Sequence, residues 1–168
     1  MSVEALIDLW KDTRSGLIQE VERIPEDQFS FKATPETRSV AELLQHIVQT
    51  QKALVGEICR PETNLFRQSF ADHFKEYAPG VESIVDKQGL LEVLSSSWDQ
   101  AEAALRSFGD RLDETMTRFD GRPTTKIAFL TFAMSHEMYH RGQLTVYERL
   151  LSVEPALTER LKKLFATA

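Results

Sequence analysis

Apolar residues spaced three and four apart dominate this chain, and that spacing limits its fold more than any other feature. Side chains at i, i+3, i+4 and i+7 share one side of an α-helix, so each such run predicts a helix with one buried face. Val3, Leu6, Ile7, Trp10, Leu17, Val21 and Ile24 follow the pattern with one gap, and Pro25 closes the run. Ser39-Val40-Ala41-Glu42 spells a capping box, which satisfies two of the free N–H groups at a helix start. Leu43, Leu44, Ile47, Leu54 and Ile58 carry this second helix towards Pro61. Leu91, Leu94, Trp98, Ala101 and Leu105 stripe a third helix from Lys87 to Phe108, with Gly109 suited to its C-terminal cap. A fourth starts near Thr124, is apolar through Met134 and runs to about Leu151, and Pro155 suits the first turn of a short last helix.

Two segments break the period. Residues 60–86 hold Phe66, Phe70, Phe74 and Tyr77 without a regular spacing, and the aromatics are expected to pin a long connection onto the core. The segment from Glu114 to Pro123 reads as β-like or irregular, with a turn at Asp120-Gly121. Together these point to an all-α protein, a four-helix bundle with a long connection between helices two and three and a short C-terminal helix, in one domain spanning residues 1–168.

Charge and cysteine usage narrow the function. The net charge is −6, which argues against a nucleic-acid partner. Cys59 is the only cysteine, so no internal disulfide can form. It sits near a helix end beside Arg60 with no resolving thiol, and reads as idle. The N-terminus lacks the apolar core of a signal peptide, and Ile127–Met134, the longest apolar stretch, is too short to cross a bilayer. The expectation is a cytoplasmic protein with no membrane partner.

The segment Ser135–Leu144, SHEMYHRGQL, carries the chemistry. Its H-E-x-x-H is the spelling of a zinc peptidase helix, with Glu137 as general base. Against that reading, no histidine follows His140, and Glu148, Glu154 and Glu159 are poor substitutes as a further ligand. There is also no strand set to build a peptide cleft. What remains is a pair of imidazoles, His136 and His140, one helical turn and about 6 Å apart. Such a pair can hold one metal ion if a third ligand joins it, and His46, flanked by Leu43, Leu44 and Ile47, is the natural candidate. Packing of the three histidines without a metal is the plainer alternative. His73 lies in the irregular connection and is expected to be exposed to solvent. Gln143 shares the face of His136 and His140 and could orient a ligand or touch a substrate; Arg141 suits a structural ion pair. Gly142 costs about 1 kcal/mol in mid-helix, so close approach of another helix is expected there.

Two stretches, TPETRSVAELLQHIVQTQ and FAMSHEMYHRGQL, resemble the two signatures of the DinB/YfiT-like four-helix-bundle superfamily: L-x-x-H-I after a serine cap, then H-x-x-x-H-R-G-Q-L. The resemblance runs from Leu6 to Leu151. It implies that His46, His136 and His140 bind one divalent metal ion such as zinc, nickel or iron. It leaves Glu137 at a variable position, as a catalytic or supporting candidate beside Gln143. Members of this superfamily include transferases that use low-molecular-weight thiols, a mycothiol-dependent isomerase and a hydrolase-like group. The resemblance therefore implies a metal-dependent enzyme on small molecules, with a thiol or water activated at the ion, and a homodimer. A non-enzymatic, stress-associated bundle that binds metal or a ligand is the other reading it allows.

Overall fold

The computed structural model describes residues 2–166. Its long helices are α1 (Val3–Arg23), α2 (Val40–Ile58), α4 (Lys87–Phe108) and α5 (Lys126–Leu150), with the shorter α3 (Phe70–Tyr77) and α6 (Ala156–Ala166). Each long helix begins at a side chain that accepts from its first turn: Ser2 from Ala5 N, Asp86 from Gly89 N and Thr125 from Ala128 N. At Ser39 the capping box is complete, with Ser39 Oγ accepting from Glu42 N at 3.1 Å and Glu42 Oε2 accepting from Ser39 N at 2.7 Å.

The main packing contacts run from α1 to α4, α4 to α2, α2 to α5 and α5 back to α1. Consecutive helices α1 and α2 therefore face each other across the bundle, as do α4 and α5, and the connections between them must be long. The connection from α4 to α5 contains a small hairpin, β1 (Thr115–Thr117) paired antiparallel with β2 (Pro123–Thr125), in register Thr115 to Thr125. Its turn passes through Gly121, whose φ of 77° suits glycine. The hairpin, with a single parallel bridge from Thr117 to Asn64, departs from an all-helical chain in the segment read as β-like.

The connection from α2 to α4 is more structured than its lack of period suggests. It holds α3, which at eight residues is too short to announce itself by a stripe. Its anchor is polar: the buried Glu57 of α2 accepts from Arg67, from the Tyr77 hydroxyl at 2.8 Å and from Asn64 N at 3.1 Å. Tyr77 lies over Gly56, where any Cβ would collide with its ring. The expected aromatic pinning fails for Phe66 and Phe70, which are 65% and 41% exposed. His73, expected in solvent, is 1% exposed, with Nε2 3.2 Å from the Leu65 carbonyl and Nδ1 3.3 Å from Gln68 Nε2. The reason is that α3 turns this face onto α2.

The core has two parts. One surrounds Trp10, Leu54, Trp98, Leu105 and Leu130; the other surrounds Leu17, Val21, Leu44, Ile47, Leu90 and Leu144. Between them lie the buried polar residues Arg14, Gln51, Ser97, Glu137 and His140. The single gap in the apolar stripe of α1 is where Arg14 enters this layer.

The last helix packs on α1 through polar contacts. Glu20 of α1 accepts from Ala156 N at 2.5 Å and Leu157 N at 3.4 Å, at the positive end of the α6 dipole. Arg141 donates to Glu20 at 3.1 Å, the structural ion pair expected of it. The Arg141 guanidinium occupies the space a Cβ on Gly16 would need, whereas nothing lies within 4 Å of a Cβ built on Gly142. The close approach expected at Gly142 is thus absent, and the tight contact lies at Gly16 on α1.

Glu148 is fully buried beside Glu20, and no donor reaches either of its oxygens. Burial, with the charge of Glu20 second, pushes its carboxyl up to about 8. Its proton favours the folded state, so this contribution is complete below the ordinary carboxylate range and disappears as pH rises through about 8. Glu148→Gln should remove that loss. Thermal melts should show the variant several degrees more stable than the parent at pH 8 and little different at pH 4.5.

Candidate metal centre

Helix geometry brings the three expected histidines together. His136 and His140 project from one face of α5 towards α2, and His46 meets them from α2. The Nε2 atoms of His46 and His136 are 3.2 Å apart, those of His136 and His140 3.0 Å, and all three ligand atoms fall within 4.8 Å of one another. A tetrahedral ion with metal–nitrogen bonds of about 2.0–2.1 Å holds its ligand nitrogens roughly 3.3 Å apart. Two of the three separations lie close to that value, and the His46–His140 pair falls within 4.8 Å, a grouping that suits one small divalent cation. Three ring nitrogens pointed at one place otherwise crowd their lone pairs, with no donor to serve them all.

The imidazoles are in the state a metal needs. Burial pushes His46 down to about 3, with the charge of Arg38 adding to the effect. It pushes His136 down to about 4, against the opposing charge of Glu137, and lowers His140 as well. All three are neutral at pH 7 and need lose no proton to bind. Gln143 Oε1 lies 2.7 Å from His140 Nδ1. Accepting from that nitrogen puts the proton on Nδ1 and leaves the Nε2 lone pair facing the other histidines. Among the described residues, no fourth His, Cys, Asp or Glu joins the group.

Glu137 is elsewhere. One residue after His136, it points about 100° around α5, towards α1. Arg14 grips both its oxygens, Nε to Oε1 at 2.6 Å and Nη2 to Oε2 at 2.8 Å, and Trp10 Nε1 donates to Oε2 at 2.8 Å. Arg14 also donates to the Leu94 carbonyl at 2.7 Å and to Ser97 Oγ at 3.1 Å. Both side chains are at most 2% exposed. A carboxylate so engaged is not placed as a base at the histidines; it holds α5 to α1. The sequence reading missed Arg14 and Trp10 as supporting residues, although the charge in the gap of the α1 stripe was the available signal. Cys59 lies outside the group, and burial pushes its thiol up, as suits an idle cysteine.

The surroundings differ on the two sides of the triad. On one, Phe74 of α3 stands edge-on to His46 with ring centres 6.3 Å apart, and Phe132 is 6.4 Å from His136. Phe119 of the hairpin lies 6.1 Å from Phe132 and 5.7 Å from Phe70. On the other, a cavity of about 610 Å³ is lined by Thr37, Arg38, Leu43, Gln143, Val146 and Tyr147, with Glu36 beside them.

Known proteins place the chain among similar bundles. The sequence model of the DinB family matches residues 1–167. The protein YjoA of Bacillus subtilis (strain 168) is 27% identical over 132 residues, covering 76% of this chain and 77% of its own. The crystal structure of YjoA superposes with a TM-score of 0.68 at 23% identity, covering 88% of this chain and 92% of that one. YfiT from Bacillus subtilis, described as a "probable metal-dependent hydrolase with an unusual four-helix bundle topology", gives 0.70 at 17% identity, covering 90% and 89%. The mycothiol-dependent maleylpyruvate isomerase gives 0.68 at 13% identity, covering 86% of this chain and 61% of that protein. At these identities the structural likenesses establish the fold.

Two outcomes are expected. The purified chain, free of tag and chelator, should carry about one divalent ion, His46→Ala should carry none, and Gln143→Leu should bind zinc 10–100-fold more weakly in a chelator competition. Arg14→Ala, which strands a buried carboxylate, should lose about 3–5 kcal/mol of stability in a denaturant titration.

Proposed function

The chain belongs to the DinB family, and from that premise we propose that it is a divalent-metal-dependent enzyme acting on small molecules, of the thiol-transferase type or with related hydrolase chemistry. The observation that carries the reading is the convergence of three neutral imidazole Nε2 atoms with no fourth protein ligand among the described residues. Structural metal sites close their coordination with protein groups, whereas catalytic ones keep a position for water or substrate. The donor set is all imidazole, which suits zinc, nickel or iron.

In this reading His46, His136 and His140 hold the ion, which when bound lowers the pKa of a thiol or water and so supplies a nucleophile at neutral pH. Gln143 fixes the tautomer of His140. Glu137 and Arg14 are positioning residues that act through α5. The aromatic side chains beside the triad, Phe74 and Phe132, offer an apolar surface to a substrate. For a transfer, the thiol sulfur loses its proton to solvent, forms a bond to an electrophilic carbon, and the leaving group departs with its electron pair. The likeness to a mycothiol-dependent enzyme and to a protein described as a hydrolase favours a small-molecule substrate.

The zinc-, nickel- and iron-loaded chain should be assayed for transfer of small thiols to an aryl chloride and for hydrolysis of an aryl ester. One of these activities should require metal and fall at least a hundredfold in His140→Ala, with circular dichroism unchanged. A fully loaded chain inactive in both would favour the non-enzymatic metal- or ligand-binding bundle.

A further inference from the structure

Resting on that reading of the site, we infer that Arg38 is its anion-recognition residue. The substrate then carries a carboxylate or similar anionic group that pairs with Arg38, and a flat apolar part that lies against Phe74 and Phe132.

Three observations lead there. First, the Arg38 side chain is exposed and makes no ion pair or hydrogen bond to any described residue; Glu36, on the same cavity, is not within ion-pair reach of it. Second, its backbone is held, because the Arg38 carbonyl accepts from the Tyr147 hydroxyl at 2.9 Å and the next residue is the capping Ser39 of α2. The guanidinium thus starts from a fixed base. Third, the cavity it lines is about 610 Å³, within the usual range for small-molecule sites, and shares Gln143 with the triad.

The planar fork of arginine matches a carboxylate in two bonds. The whole chain is acidic, at −6, so an unpaired guanidinium on this cavity offers an anion a local site of opposite sign.

Position along α5 orders the parts. Phe132, His136, His140 and Gln143 follow one another over eleven residue steps, roughly 16 Å of helix. The triad therefore lies between the aromatic side and the Arg38 side, and a substrate spanning the two presents its middle to the histidines.

The test uses two probes of one shape, 3-phenylpropionate and 3-phenylpropan-1-ol, titrated into the full chain and followed by amide chemical shifts. Titrations are run on metal-free protein and again after zinc loading, with zinc content measured. Metal-free protein should bind the carboxylate at least about fivefold more tightly than the alcohol, with shifts at Gln143 and Tyr147. Arg38→Gln should erase that preference while leaving alcohol binding unchanged, and Arg38→Lys should restore part of it. Equal binding of the two probes, or a preference that survives in Arg38→Gln, would overturn the inference. Failure of zinc to load is read separately from metal content and would sink the metal-dependent reading without altering the Arg38 comparison.

Discussion

The buried pair of Arg14 and Glu137 is the interaction on which the rest of the structure turns. Two charges removed from water are costly, and such a pair contributes little net stability compared with well-packed apolar residues. What it contributes is geometry. Two parallel bonds to one carboxylate, with Trp10 as a third donor, allow one orientation of Glu137 and hence one rotation of α5 about its axis. His136 and His140 are fixed by the same rotation. A turn of α5 by a single residue would move them about 100° away from His46.

This pair also explains the divided core. Two apolar clusters fill the ends of the bundle, and the polar layer crosses its middle at Arg14, Gln51, Ser97 and Glu137, level with the histidines. Apolar packing alone leaves helices free to slide or rotate by small amounts, because many arrangements bury similar area. A layer of hydrogen-bonded groups removes that freedom, since each misplaced donor or acceptor would be stranded without water. The imidazoles gain from the same dry surroundings, which keep them neutral and ready to act as ligands.

The connections complete the site from outside the four long helices. Glu57 gathers Arg67, Tyr77 and Asn64, and so lays α3 along α2 with Phe74 against His46. The hairpin brings Phe119 to Phe132. On the other side of α5, Arg141 bridges to Glu20, which also caps α6, so the residue after His140 is tied to α1 and to the C-terminal helix together. The site thus rests on three polar anchors, at Arg14, Glu57 and Glu20.

Much of this was legible in local sequence. The capping box at Ser39, the helix from Lys87 to Phe108 and the one-turn spacing of His136 and His140 all depend on neighbours within a few residues, and local rules suffice for them. By itself, then, the sequence determined the helices, their buried faces and the histidines that share a face. Tertiary structure alone decided the partners. Nothing near Glu137 in the chain announces Arg14, 123 residues away, and nothing in the irregular connection announces that His73 is buried or that Glu57 gathers it. Gly142 looked like the packing glycine until the folded chain placed Arg141 against Gly16. The physical reason is that a helix pattern specifies which side faces inward, while the pairing of buried charges depends on which helix stands opposite and at what rotation.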